Sequence, residues 1–329
     1  MIRLGSGNLT YELVEGWGHL PPDVDLVEVP AVGVDSRDRI YAFNRGEHPM
    51  VVFDREGNFL GSWGEGLFTR AHGICVGPDD SIYCVDDGDH TLRQCTPEGK
   101  VLMTLGVPHQ PSDSGYVPVD YLSVKYGGPP FCRPTNVALS PQGDIYVSDG
   151  YGNCRVHKFS PPGELLFSWG EPGSGPGQFR LVHGILVGPD GTVYVGDRMN
   201  SRVQVFSPTG EYLTEWPDVY QPNDLSLDTE GHVYVPELGY LPGLPLSGPE
   251  PAPGDEFARV TIRDLSGKVL SSITGPDPSA PGCFLAPHGA RVDSHGDLYV
   301  GEVSATNAKR LGRDRHEFNV LQKFARVRG

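Results

Sequence analysis

Apolar residues in this chain do not return every three or four positions, as a helix face requires; they alternate in short runs broken by turn formers, and the runs come in pairs. The clearest pair spans 183–197, where His-Gly-Ile-Leu-Val is followed by a Gly-Pro-Asp-Gly turn and then by Thr-Val-Tyr-Val-Gly-Asp. Variants of this phrase lie at 30–44, 72–86, 135–149, 223–237 and 288–302. A third run follows most of them, as in Met50-Val-Val-Phe, Arg155-Val-His-Lys-Phe and Arg202-Val-Gln-Val-Phe. A glycine-bearing turn then leads into a fourth, such as Phe59–Trp63, Leu165–Trp169 or Tyr212–Trp216. Four short strands joined by hairpins, repeated six times at roughly 40 to 65 residues, predict a six-bladed, all-β propeller with four-stranded antiparallel blades. The whole chain, 1–329, is read as one such domain. Residues 1–29 precede the repeats and contain the strand-like Leu9-Thr-Tyr-Glu-Leu-Val, expected to close the ring by pairing with the last blade, since an open edge strand invites aggregation. Two long insertions, near 106–133 and 239–256, interrupt the period. Loops of that length are often lids or binding walls, and Tyr116, Tyr121 and Tyr126 in the first are expected to line a pocket.

Aligned on the aromatic that closes each phrase (Tyr41, Tyr83, Tyr146, Tyr194, Tyr234, Tyr299), the opening position reads Pro30, His72, Thr135, His183, Asn223, His288. Histidine falls in every second copy. The first strand of a propeller blade lines the central channel, so His72, His183 and His288 are expected to converge from alternate blades. Three imidazoles with a position left for water is the donor set of a catalytic zinc site; another divalent transition metal would suit the same residue types. The remaining histidines follow no such pattern and are read as surface or packing residues. Asp86, Asp149, Asp197, Glu237 and Glu302 end the phrases too regularly to be catalytic, and most of them are expected to hold turns by accepting backbone N–H bonds. Arg45, Tyr151 and Arg198 follow just after such positions, near where the histidines open. They supply cations to grip a carboxylate and a phenol to serve as a base.

The 26 basic against 42 acidic residues give a formal charge of −16, which argues against nucleic acid and anionic lipid as partners. No apolar run approaches the length of a membrane span, and Met1–Thr10 lacks the pattern of a signal peptide, so a cytoplasmic location is expected. Six cysteines without a CxxC pair are too few for a disulfide scaffold; Cys132 and Cys154, flanking the third repeat, are the candidates for a bridge in an oxidising compartment.

Several phrases also carry a resemblance. Phe131-Cys-Arg-Pro-Thr-Asn-Val-Ala, Val147-Ser-Asp-Gly-Tyr-Gly-Asn-Cys-Arg, Trp169-Gly-Glu, Gly177-Gln-Phe and the His183 phrase resemble the lyase domain of peptidylglycine α-amidating enzymes, a family of NHL-repeat propellers. So do Phe43-Asn-Arg-Gly-Glu-His and Ala286-Pro-His-Gly. The resemblance implies zinc ligands at His72, His183 and His288, an active-site tyrosine at Tyr151 and arginines at Arg45 and Arg198. It implies cleavage of the C–N bond of an α-hydroxyglycine to an amide and glyoxylate, on a small anionic substrate bearing an α-hydroxy amide. Three departures accompany it. Asn44 replaces a family histidine, Gly152 a cysteine that removes one familiar disulfide, and Gly289 an aspartate associated with calcium, so a structural calcium is not expected. Two other readings fit the residues: a zinc-dependent lactone or amide hydrolase on the same scaffold, and a non-catalytic NHL interaction module.

Overall fold

The computed structural model describes residues 2–240 and 257–328. The expected loop near 239–256 therefore lies almost wholly outside the described residues. The fold class is the six-bladed β-propeller: six antiparallel blades, each with at least four strands. By contacts the chain divides into two compact units, Gly66–Pro222 and the pair of segments Met1–Glu65 with Asn223–Gly329.

The unit Gly66–Pro222 holds the second, third and fourth blades. Their first strands are Ala71–Val76, Pro134–Leu139 and Val182–Val187, and each is followed outward by three more in simple meander order. The alternation in the sequence becomes packing between successive blades. Val85, Leu92, Phe131, Val137, Ile145, Val147 and Phe159 form one such core, and Tyr146, Val156, Phe179, Val182, Val193 and Phe206 belong to the next. Each buried Val, Leu or Phe contributes about 1.5–3 kcal/mol relative to exposure. Fourth strands, such as Val101–Leu105 and Leu165–Trp169, are largely exposed.

The other unit holds the first, fifth and sixth blades, with first strands Ala31–Val34, Ser226–Leu227 and Pro287–Val292. Its cores run through Tyr234, Val260, Ile262, Phe284 and Val300, and through Val29, Val32, Ile40, Phe53 and Tyr299. In these three blades the closing tyrosine donates to an aspartate of the preceding turn: Tyr41 to Asp35 at 3.1 Å, Tyr234 to Asp228 at 3.1 Å and Tyr299 to Asp293 at 3.0 Å. The N-terminal strand Leu9–Leu13 is the fourth strand of the last blade, pairing Leu13 with Phe324 and Tyr11 with Arg326, and Arg3–Ser6 adds a fifth. Tyr11 is fully buried and shares a 2.8 Å hydrogen bond with the Tyr234 hydroxyl.

The one α-helix among the described residues was not anticipated. This helix, Ser304–Leu311, sits between the second and third strands of the last blade and ends on Gly312 in the left-handed conformation.

Candidate metal centre

Each phrase that opens on histidine is bulged at that residue. Ala71 pairs with Asp86 but Ile74 with Cys84, so His72-Gly73 carries one residue more than the facing strand. The same irregularity falls at His183-Gly184, between Val182 and Ile185, and at His288, between Pro287 and Gly289. A bulge re-aims a side chain out of the strand's alternation. The glycine that follows makes room for it. A Cβ on Gly73 would stand 2.5 Å from the Thr135 carbonyl oxygen, and one on Gly289 2.7 Å from the Ala31 Cα. In these two phrases His-Gly is thus a structural pair.

Within Gly66–Pro222, His72 and His183 are brought together. Both are buried, their rings lie 4.9 Å apart, and their Nε2 atoms are 3.1 and 3.2 Å from the hydroxyl of Tyr151. The Thr135 carbonyl, 2.6 Å from His72 Nδ1, fixes that nitrogen as the N–H donor and leaves the lone pair on Nε2. In the other unit His288 is also buried, and its Nδ1 lies 2.7 Å from the Pro30 carbonyl, which selects the same tautomer. Thr135 and Pro30 are themselves opening positions of the next phrase. A carbonyl-locked imidazole presenting Nε2 is how proteins hold a histidine ligand, and this donor set fits a zinc ion.

Tyr151 is held between two glycines. A Cβ on Gly150 would collide with the Val182 carbonyl, and one on Gly152 with the Cys132 sulfur. The chain passes through that gap only because both side chains are absent. Cys132 and Cys154 are free thiols, both buried.

Arg198 begins a short 3₁₀ turn, Arg198–Asn200, with its amide donating 2.9 Å to the Leu181 carbonyl. The residue is buried, and its Nε has no hydrogen-bond partner among the described residues. Arg45, in the other unit, donates 2.9 Å from Nη1 to Glu28, which also accepts from the Thr306 amide at the start of the helix. Four of the phrase-ending carboxylates accept backbone amides as expected, Asp197 that of Arg180, while Glu237 accepts from the side chains of Arg259, Thr261 and Arg263. Asp86 takes the amides of Arg70, Gly88 and Asp89, Asp149 that of Cys132, and Glu302 those of Leu285 and Ala286.

Three residues that no repeat pattern singled out surround Tyr151. Arg133 lies over its ring at 5.5 Å and donates 2.7 Å to Asp87 Oδ2. Arg70 donates to the same oxygen at 2.5 Å. Burial works against the Arg70 charge, and Asp87 more than restores it, holding the guanidinium above the ordinary arginine pKa. From the long loop, Tyr121 packs 5.0 Å from Tyr151 and stacks on Tyr116 at 6.3 Å, nearly parallel. Tyr126 takes no part; it is half-exposed.

The NHL repeat family matches residues 131–159 and 179–206. Over 239 residues the chain is 32% identical to the Drosophila melanogaster peptidyl-alpha-hydroxyglycine alpha-amidating lyase 1, covering 61% of this chain and 41% of that protein. This chain resembles the amidating lyases. It is also 27% identical over 303 residues to human NHL repeat-containing protein 3, covering 86% of this chain and 83% of that one. Among solved structures, an inactive virginiamycin B lyase of Staphylococcus aureus superimposes with a TM-score of 0.55 at 14% identity, covering 89% of this chain and 82% of that one, and so shares the fold. The chain spans between 20% and 57% of the length of the amidating relatives it matches.

Proposed function

We propose that this chain is a zinc-dependent carbon–nitrogen lyase that cleaves an N-(α-hydroxyalkyl) amide, such as an α-hydroxyglycine, to an amide and glyoxylate. His72, His183 and His288 are the proposed ligands. The observation that carries the reading is the pair of Nε2 atoms meeting the Tyr151 hydroxyl at 3.1 and 3.2 Å. Likeness to proteins named as amidating lyases supports it. When bound, zinc would supply Lewis-acid polarisation of the substrate's oxygens.

The chain's own residues account for the remaining steps. The reaction consumes no water: the α-hydroxyl loses its proton, its C–O bond becomes a carbonyl, the C–N bond breaks, and the amide nitrogen gains the proton. Tyr151 is the proposed carrier of that proton, from hydroxyl to departing nitrogen, held in place by its flanking glycines and by Tyr121. Arg198, whose buried Nε has no partner among the described residues, is the proposed grip for the substrate carboxylate. Arg45, braced by Glu28, is assigned as the second cation.

Incubation with α-hydroxyhippurate is expected to release glyoxylate and benzamide, in protein carrying about one zinc per chain by elemental analysis. His183→Ala is expected to lower zinc affinity at least tenfold and to abolish turnover. Hydrolysis of a lactone or amide without glyoxylate formation would favour a hydrolase. Metal-free, fully folded protein would favour a non-catalytic repeat module.

A further inference from the structure

Arg70 and Arg133 hold corresponding places in neighbouring blades of the unit Gly66–Pro222. Each is the residue immediately before its blade's first strand, Ala71–Val76 or Pro134–Leu139. Arg70 is two residues from His72, and Arg133 lies over the ring of Tyr151, whose hydroxyl meets the Nε2 atoms of His72 and His183. Gly88 lets the chain close on Arg70, since a Cβ there would stand 2.9 Å from the Arg70 Cβ.

The two guanidiniums are unequally engaged. Arg133 uses every nitrogen: Nη2 donates 2.7 Å to Asp87 Oδ2, Nε 3.3 Å to the Asp87 carbonyl and Nη1 3.4 Å to the Tyr116 hydroxyl. Among the described residues the Arg70 side chain donates only from Nη1, to Asp87 Oδ2. Its Nε and Nη2 remain, and these two share one edge of the guanidinium, a fork that takes a carboxylate with two parallel bonds. The Arg70 side chain is 34% exposed, against 9% for that of Arg45, so this edge is open to a ligand. Charge points the same way. Two arginines face the single carboxylate of Asp87, which leaves one positive charge in excess. The acidic neighbours do not cancel it: Asp89 is paired with Arg93, and Asp86 is met by the amides of Thr69, Arg70, Gly88 and Asp89. In a chain of net charge −16, an exposed guanidinium with its fork free is a place for an anion.

We propose that Arg70 is a recognition residue of this site, taking the substrate's carboxylate on its free Nε–Nη2 edge while Asp87, itself held by Arg133, fixes the plane of the guanidinium. Arg70 shares that carboxylate with Arg198 and makes the site prefer acidic over neutral ligands. The identity of the substrate rests on the lyase reading; the preference for an anion does not.

Hippurate and its neutral amide, N-benzoylglycinamide, differ only at the carboxylate, and calorimetry of both on the full chain with added zinc is the test. Hippurate is expected to bind the tighter. Arg70→Gln is expected to weaken hippurate about tenfold while leaving N-benzoylglycinamide within about twofold, which also shows that the variant is folded. Arg70→Lys keeps the charge and a partner for Asp87 but not the fork; it is expected to recover only part of the loss, and it carries the same comparison if Arg70→Gln does not fold. In turnover, Arg70→Gln is expected to raise KM for α-hydroxyhippurate about tenfold with kcat within about threefold, a split that general loss of structure would not give. Equal affinity of the wild-type chain for the two ligands, a hippurate preference unchanged in Arg70→Gln, or full recovery in Arg70→Lys would overturn the forked contact. Failure of the lyase reading would look different: no glyoxylate from α-hydroxyhippurate, with Arg70-dependent binding of hippurate intact.

Discussion

At the scale of single residues, two devices build the candidate centre: a bulge that turns each histidine, and a glycine that lets the neighbouring backbone close in. Gly73→Ala tests the second. Its Cβ would meet the Thr135 carbonyl oxygen at 2.5 Å, backbone that cannot move aside cheaply, so a loss of about 1–3 kcal/mol is expected in denaturant unfolding. Tyr151→Phe tests the chemistry. The ring would keep its contacts with Tyr121 and Arg133, so stability should change little, whereas glyoxylate formation is expected to fall about 10²- to 10⁴-fold, chiefly in kcat. His72, His183, His288 and Tyr151 were legible because they recur at fixed places in a repeated phrase or beside its end. Arg70, Asp87 and Arg133 were not. They belong to loops, where one arginine reads like any other, and only the folded chain shows two of them meeting one carboxylate.

At the scale of elements, the strand pattern was read well because each strand is short, alternating and bounded by turn formers. The first strand of the fifth blade is reduced to Ser226–Leu227, a shortening the pattern did not show. The helix Ser304–Leu311 escaped for a physical reason: Val303 stands at its N-cap, no acidic residue occupies its first turn, and eight residues give too few periods to stand out. The N-terminal strand was anticipated as a latch, and it does pair with the last blade. Deleting residues 1–13 would remove Leu9 and Tyr11 from a core and expose the edge of Leu321–Arg326. The truncated chain is expected to melt several degrees lower and to aggregate, measured by scanning calorimetry with light scattering.

At the scale of the whole molecule, buried carboxylates set the pH response. Burial pushes Glu302 up to about 8, against the amides of Ala286 and Leu285 that pull it down. Burial also raises Asp197 and Asp86, the latter with help from the nearby charge of Asp89. A carboxyl raised on folding binds its proton more tightly in the native state, so the stability linked to it is complete below its unfolded pKa. That stability drains away as pH rises through the folded value. For Glu302 the window runs from the ordinary glutamate range to about 8. Thermal melts are expected to fall between about pH 5 and pH 8, and Glu302→Gln, which keeps an acceptor for both amides, should flatten that fall.

The sequence by itself determined the kind of strand, the number of blades and the histidine in every second one, because alternation, turn chemistry and repetition are local and survive translation along a chain. Tertiary structure alone decided that two histidines share the hydroxyl of Tyr151, that a glycine pair makes its niche, and that Arg70 and Arg133 meet on one Asp87 oxygen. Those relations join residues tens of positions apart, and distance in space is set by how blades pack rather than by any spacing written in the sequence.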